Sequence, residues 1–141
     1  MAPTLVSVIV PVYNGARFLG ACIESLLEQD HPAIEVVVVD DGSTDGSAAI
    51  AHGYDGVRVV ERPHEGLAPT RNAGLQAATG PLIGFCDSDD RWKPTKARRQ
   101  LLVEYANRRY RLRRQGLELE PELAKELTDL QTQLVQGYAP A

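Results

Sequence analysis

At 141 residues, 43% of them hydrophobic, the chain is long enough to bury one core, and no apolar run is long enough to span a bilayer as a helix. A net charge of −4 argues against a nucleic-acid partner, and no N-terminal stretch has the layout of a signal peptide. Two cysteines give no disulfide framework, so a reduced, cytoplasmic compartment is expected.

The first run, Leu5-Val6-Ser7-Val8-Ile9-Val10-Pro11-Val12, is β-branched and ends in the polar turn Tyr13-Asn14, which predicts a buried parallel strand. Residues 16–29 place Phe18, Ala21, Cys22, Ser25, Leu26 and Gln29 at helical spacing, and Asp30-His31-Pro32 closes that helix. A second buried strand follows at residues 34–39, Ile34-Glu35-Val36-Val37-Val38-Val39, ending in Asp40-Asp41-Gly42-Ser43. Ser43, Thr44 and Asp45 can cap a short helix running through residues 48–51. Residues 57–61 read as an edge strand, residues 70–79 as a third helix closed by Gly80-Pro81, and residues 82–85 as a fourth strand.

Strand and helix therefore alternate, and the expected fold class is α/β: a doubly wound, mainly parallel sheet of about four strands, with ligands bound beyond the carboxyl ends of the strands. Every polar cluster falls at those ends: Tyr13-Asn14, Asp40-Asp41-Gly42-Ser43, His64-Glu65-Gly66 and Asp87-Ser88-Asp89. They are expected to share one crevice.

The fourth strand stops in Asp87-Ser88-Asp89-Asp90, three self-repelling carboxylates that a cation would neutralise. Oxygen ligands without His or Cys point to a hard ion, Mg²⁺ or Mn²⁺, shared with substrate phosphates. The same acids read equally as a turn, with Asp90 as N-cap ahead of Pro94. Cys22 and Cys86 fall at apolar positions as small hydrophobes. His31, His52 and His64 lack metal-like spacing and read as surface or loop residues.

Four segments in order, Pro11-Val12-Tyr13-Asn14, Asp40-Asp41-Gly42-Ser43-Thr44-Asp45, Gly66-Leu67-Ala68-Pro69-Thr70-Arg71-Asn72-Ala73-Gly74 and Asp87-Ser88-Asp89-Asp90-Arg91-Trp92, resemble the signature of the family-2 glycosyltransferases. The resemblance covers roughly residues 5–105, the donor-binding half of the GT-A fold. It implies a nucleotide-sugar site, a UDP-sugar first among the guesses. Pro11 and Tyr13 would then line the base pocket, Tyr13 by stacking, with Asp41 accepting from the base and Asp40 as a neighbouring support. Arg71 would meet the base and diphosphate region. Asp89 would be the direct ligand of Mn²⁺ or Mg²⁺, and Asp87 would contact ribose or act on the metal through water. Each residue also has a structural reading: Tyr13 as a helix staple, Asp41 as a turn former, Arg71 as a surface partner of Glu65.

Two domains are expected, residues 1–95 for the nucleotide sugar and residues 96–141 as a helical tail. Residues 96–114 carry eight basic side chains against one acid, Glu104. Arg108, Arg109, Arg111, Arg113 and Arg114 make a dense patch, read as a solvated face paired with Glu118, Glu120, Glu122 and Glu126 rather than as a nucleic-acid or membrane surface. Gly116 should separate this helix from a second, with Pro121 in its first turn and a stripe of Leu119, Leu123, Leu127, Leu130 and Leu134. Because a two-helix hairpin buries little apolar surface alone, the stripe predicts docking on the sheet or on a second copy, with a homodimer favoured. Nothing after about residue 105 reads as the family's next strands, and no catalytic base is identified. The expected function is inverting glycosyl transfer from a nucleotide sugar; the alternative is an inactive nucleotide-sugar-binding or assembly module that needs a partner chain for the acceptor half.

Overall fold

The computed structural model describes residues 3–137, and side chains through residue 132. The elements in chain order are β1 (Val6–Val12), α1 (Ala16–Leu27), β2 (Ile34–Asp40), α2 (Ser47–His52), β3 (Val57–Glu61), α3 (Leu67–Ala77), β4 (Leu82–Phe85), α4 (Lys96–Arg114) and α5 (Pro121–Gly137). They form two compact units, Met1–Pro94 and Thr95–Ala141.

The first unit holds a four-stranded sheet in the order β3-β2-β1-β4, every neighbouring pair parallel. All seven residues of β1 and the last five of β2 are buried, because a parallel sheet covered on both faces has no polar side. The outer strands β3 and β4 are partly exposed because each has a neighbour on one side only, so even the apolar β4 leaves Ile83 and Phe85 open. From β1 to β2 to β3 the chain moves one way across the sheet, then α3 carries it back to β4. Right-handed crossovers therefore put α1 and α2 on one face and α3 on the other. That reversal opens a crevice beyond the carboxyl ends of β1 and β4.

Strand alternation sends Ile9, Val37 and Val39 toward α3, where they pack with Ala73, Val60 and Ala77. Gly74 makes this approach close: a Cβ there would lie 2.4 Å from Cγ2 of Ile9. Leu19, Cys22, Ile23 and Leu26 of α1 are fully buried; the helical spacing predicts Cys22 and Leu26, whereas Phe18 is exposed and Leu19 and Ile23 take the core positions instead.

Element ends shift by a few residues. The third helix begins at Leu67, not at residue 70, because Pro69 lies in the first turn, where its missing N–H costs nothing. Asp90 is not a helix N-cap: its N–H donates to the Asp87 carbonyl to close a turn, and α4 starts only at Lys96, after Thr95. His31 is not a surface residue. It is 4% exposed, and its Nε2–H donates to the Thr4 carbonyl at 2.7 Å.

In the second unit α4 contacts α5. Gly116, at φ 74°, ends α4 with paired bonds from Gly116 N–H to the Arg113 carbonyl and Leu117 N–H to the Leu112 carbonyl, the glycine-terminated closure of a helix. Pro121 opens α5, as read from the sequence. Three of the five arginines are paired with acids of their own unit: Arg108 with Glu120, Arg111 with Glu104, and Arg113 with Glu118. Leu119, Leu127 and Leu130 are already buried within one copy of the chain, which removes the argument that the stripe needs a second copy to cover it. The side chain of Leu134 lies outside those described.

Candidate active site

The loops leaving β1 and β2 are tied to each other by side chains. Asn14, a non-glycine residue at φ 51°, donates its N–H to Oγ of Ser43 at 2.8 Å and accepts the Thr44 N–H on Oδ1 at 2.8 Å. Gly15 N–H donates to Oγ of Ser47. Asp45 serves two helices: Oδ2 accepts the Ala16 N–H at the start of α1, and Oδ1 accepts the N–H and hydroxyl of Ser47 at the start of α2. The Ser47 hydroxyl first, then the Ala16 N–H, hold the Asp45 carboxyl below the usual carboxylate range. Gly15 also lets the acidic loop in, since a Cβ there would sit 3.0 Å from Oγ of Ser88.

Asp41 follows β2 and is 4% exposed. Oδ1 accepts the Glu65 N–H at 2.9 Å, and Oδ2 accepts the Gly66 N–H at 3.1 Å and Nδ1–H of His64 at 2.9 Å. Burial pushes its pKa up, but the two main-chain N–H groups, the Thr70 hydroxyl and the nearby His64 outweigh burial and hold it below the ordinary value. Gly42, at φ 75°, allows this meeting: a Cβ there would lie 2.7 Å from the His64 nitrogen. His64 is therefore more than a loop residue. Its ring stacks on Tyr13, centroids 4.0 Å apart and planes 20° apart. The neighbouring Asp40 is buried, its Oδ2 accepting the Ser43 N–H at 3.2 Å while Oδ1 has no hydrogen-bond partner.

Beyond β4, Asp87, Asp89 and Asp90 are exposed, and each brings a carboxylate oxygen within 4.8 Å of the others. An all-oxygen, negatively charged set of this kind fits Mg²⁺ or Mn²⁺. Arg71, on α3, reaches this loop: its guanidinium lies 3.9 Å from Oδ1 of Asp87 and 5.8 Å over the Phe85 ring, and Nε is buried without a hydrogen-bond partner. The surface partner of Glu65 is instead Arg62, at 2.9 Å.

Two adjoining clefts result. One, of about 350 Å³, is lined by Pro11, Tyr13, Asn14, Gly15, Phe18, Leu67, Asp87, Ser88 and Asp89. The other, of about 150 Å³, is lined by Pro11, Val12, Tyr13, Asp41, His64, Gly66, Leu67 and Thr70. Of the residues singled out in the sequence, Pro11, Tyr13, Asp41, Asp87 and Asp89 line these clefts; Arg71 joins through Asp87, and Asp40 lies beneath. The sequence set His64 in a polar cluster expected at the crevice without giving it a role, and left Asp90 open between a cation site and a helix cap. The run of three acids was a signal for Asp90, whereas nothing local marks His64 as a partner of Tyr13 and Asp41.

Residues 7–112 match the model of the family described as Glycosyl transferase family 2. The chain is 46% identical over 90 residues to the uncharacterized glycosyltransferase EpsJ of Bacillus subtilis (strain 168), which spans 61% of this chain and 26% of EpsJ. Among solved structures it resembles S. aureus TarS 1–349 in complex with UDP, with a TM-score of 0.67 and 32% identity over 75% of this chain and 33% of that one. It also resembles the mannosyltransferase PcManGT from Pyrobaculum calidifontis in complex with GDP-Man and Mn²⁺, with a TM-score of 0.58 and 30% identity over 73% of this chain and 34% of that one. The chain thus spans about a quarter to a third of the length of these relatives. With the family match covering most of the first unit and reaching into α4, the chain belongs to glycosyltransferase family 2.

Proposed function

We propose that the chain binds a nucleoside-diphosphate sugar, a UDP-sugar first among candidates, together with Mn²⁺ or Mg²⁺, as the donor side of an inverting glycosyl transfer. The observation that carries this reading is the convergence of Tyr13, Asp87 and Asp89 on one cleft, at the point where strand order reverses between β1 and β4. Tyr13 offers a flat ring for a base, and Asp41 an ionised acceptor beside it. Arg71 brings the end of its guanidinium to the acidic loop, positive charge that suits a diphosphate there. Asp87, Asp89 and Asp90 would hold the cation, whose chemistry when bound is to stabilise the departing diphosphate. That TarS is described with UDP and PcManGT with GDP-Man and Mn²⁺ supports the same reading.

A second reading has its own observation. The carboxylates lining the two clefts, among the described residues, are Asp41, Asp87 and Asp89, all engaged on the donor side. None is left to deprotonate an acceptor hydroxyl, so this unit fits a donor-binding module whose acceptor side and base come from another segment or chain.

Thermal melts with UDP, GDP, CDP and ADP, each with and without Mn²⁺, test the donor reading. A nucleotide at a hundredfold excess over its Kd adds about 2.7 kcal/mol to stability. UDP or GDP should raise the melting temperature clearly more with Mn²⁺ than without. Equal shifts in metal-free buffer overturn the metal assignment, and no shift with any nucleotide overturns the donor reading.

A further inference from the structure

We propose that His64 is a resident stand-in for the nucleobase: its imidazole occupies the base seat between Tyr13 and Asp41, and a base enters by displacing it. The proposal rests on the donor reading above. A base held by Tyr13 and Asp41 must supply two things, a flat ring stacked on the phenol and a ring N–H donated to the carboxylate. His64 supplies both, with its ring 4.0 Å from Tyr13 and Nδ1 2.9 Å from Oδ2 of Asp41. Nδ1 also lies 3.1 Å from the Asp41 carbonyl. A carboxylate and a carbonyl only accept, so Nδ1 carries the hydrogen.

The other bonds to the Asp41 carboxylate come from the main-chain N–H groups of Glu65 and Gly66, which cannot leave without moving the loop, and from the hydroxyl of Thr70, which is buried in α3. The bond from His64 is a side-chain bond, and that side chain is 53% exposed, so rotating it away leads into water rather than into packed protein. Its backbone meanwhile stays anchored over Gly42. His64 can therefore vacate the seat alone.

Displacement also sets selectivity. The entering base must return a ring N–H to Asp41, as N3–H of uracil or N1–H of guanine can. Cytosine and adenine present a bare ring nitrogen at the corresponding edge, and would leave two acceptors facing each other.

The test measures affinities of UDP, GDP, CDP and ADP in Mn²⁺ for the full chain and for His64→Ala, with ligand-free melts as the control for folding. The variant should bind UDP or GDP about threefold to tenfold more tightly, since an intramolecular competitor worth one net hydrogen bond is gone, and should keep its preference over CDP and ADP. Weaker UDP binding by His64→Ala overturns the proposal and makes His64 a supporting contact. Should the variant not fold, NMR on the unmodified chain decides: saturating UDP must move the His64 ring-proton signals out of the ring-current shift of Tyr13, and unmoved signals overturn the proposal. Absence of binding by both proteins to all four nucleotides takes down the donor reading itself, a result separate from weakened binding in the variant alone.

Discussion

Asp89 and Asp90 stand side by side in one exposed acidic group, yet their main-chain settings differ. The Asp90 N–H closes the turn onto the Asp87 carbonyl, whereas Asp89 lines the larger cleft with Asp87 and Ser88. Removing Asp89 should therefore take away a cation ligand that faces the ligand space, while removing the Asp90 carboxylate leaves the turn intact. Asp89→Ala is expected to abolish the Mn²⁺-dependent part of UDP stabilisation, and Asp90→Ala to reduce it without abolishing it. Isothermal titration of Mn²⁺ in the presence of UDP checks both; equal loss in the two variants would show that the acids act as a diffuse charge and not as a ligand set. Tyr13 illustrates the same dependence on setting. Its ring is half exposed, which on composition alone marks a surface residue, but the histidine stacked on it and the carboxylate beyond make it one wall of a cleft.

At the scale of elements, Glu35 does at the amino end of the sheet what Asp45 does at the carboxyl end. It opens β2, and its Oε2 accepts from the Ser7 hydroxyl of β1 at 2.6 Å and from the N–H and hydroxyl of Thr79 after α3, while Arg58 of β3 lies 3.5 Å from Oε1. Burial raises its pKa, but the Ser7 and Thr79 bonds and Arg58 together hold it below the ordinary 4.5. A carboxyl depressed in the fold stabilises above its unfolded pKa, and that stability is lost as pH falls through the folded value. Glu35→Gln should therefore lower stability by about 1–3 kcal/mol at neutral pH, the cost of mispaired donors, and the gap from the unmodified chain should shrink below about pH 4.5. Urea melts at pH 7 and pH 3 measure this; a gap that stays constant with pH would remove charge from the account. The Asp45 cap on α2 was legible locally, but the longer ties are not, because Glu35 meets Ser7 across 28 residues and Thr79 across 44, and Asp45 meets Ala16 across 29. The strands were legible for the opposite reason: the β-branched runs of β1 and β2 carry their own two-face burial pattern locally. Of the clefts, Tyr13, Asp41, Asp87 and Asp89 could be read because they stand in ordered motifs. His64 could be placed at the crevice but not paired, since its partners come only from the loop after β3 packing close against Gly42 and Asp41.

Across the whole molecule, the hairpin of α4 and α5 is where the leucine spacing bears on assembly. Leucines spaced along α5 suggested a surface waiting for a second copy, but Leu127 is fully buried in a single chain and Leu130 nearly so. Tyr105 of α4 donates its hydroxyl to Oε2 of Glu126 at 3.2 Å, a further tie within the pair. Leu127→Ala should thus cost about 2–5 kcal/mol in the stability of the helical pair, with loss of far-ultraviolet helical signal at a lower temperature. Sedimentation of the unmodified chain should give the mass of one copy; a dimer that the substitution dissociates would restore the reading of the stripe as an interface. The two thiols allow the first unit to be followed. Cys22 and Cys86 lie 3.6 Å apart in the interior of the first unit, and the second unit has no cysteine. The hydrogen bond with Cys86, burial and the nearby Asp89 and Asp90 charges all push the Cys22 thiol far above its ordinary pKa. A thiolate-seeking dye therefore finds nothing to attack until the first unit opens. Its labelling rate is a clock for the opening of the first unit.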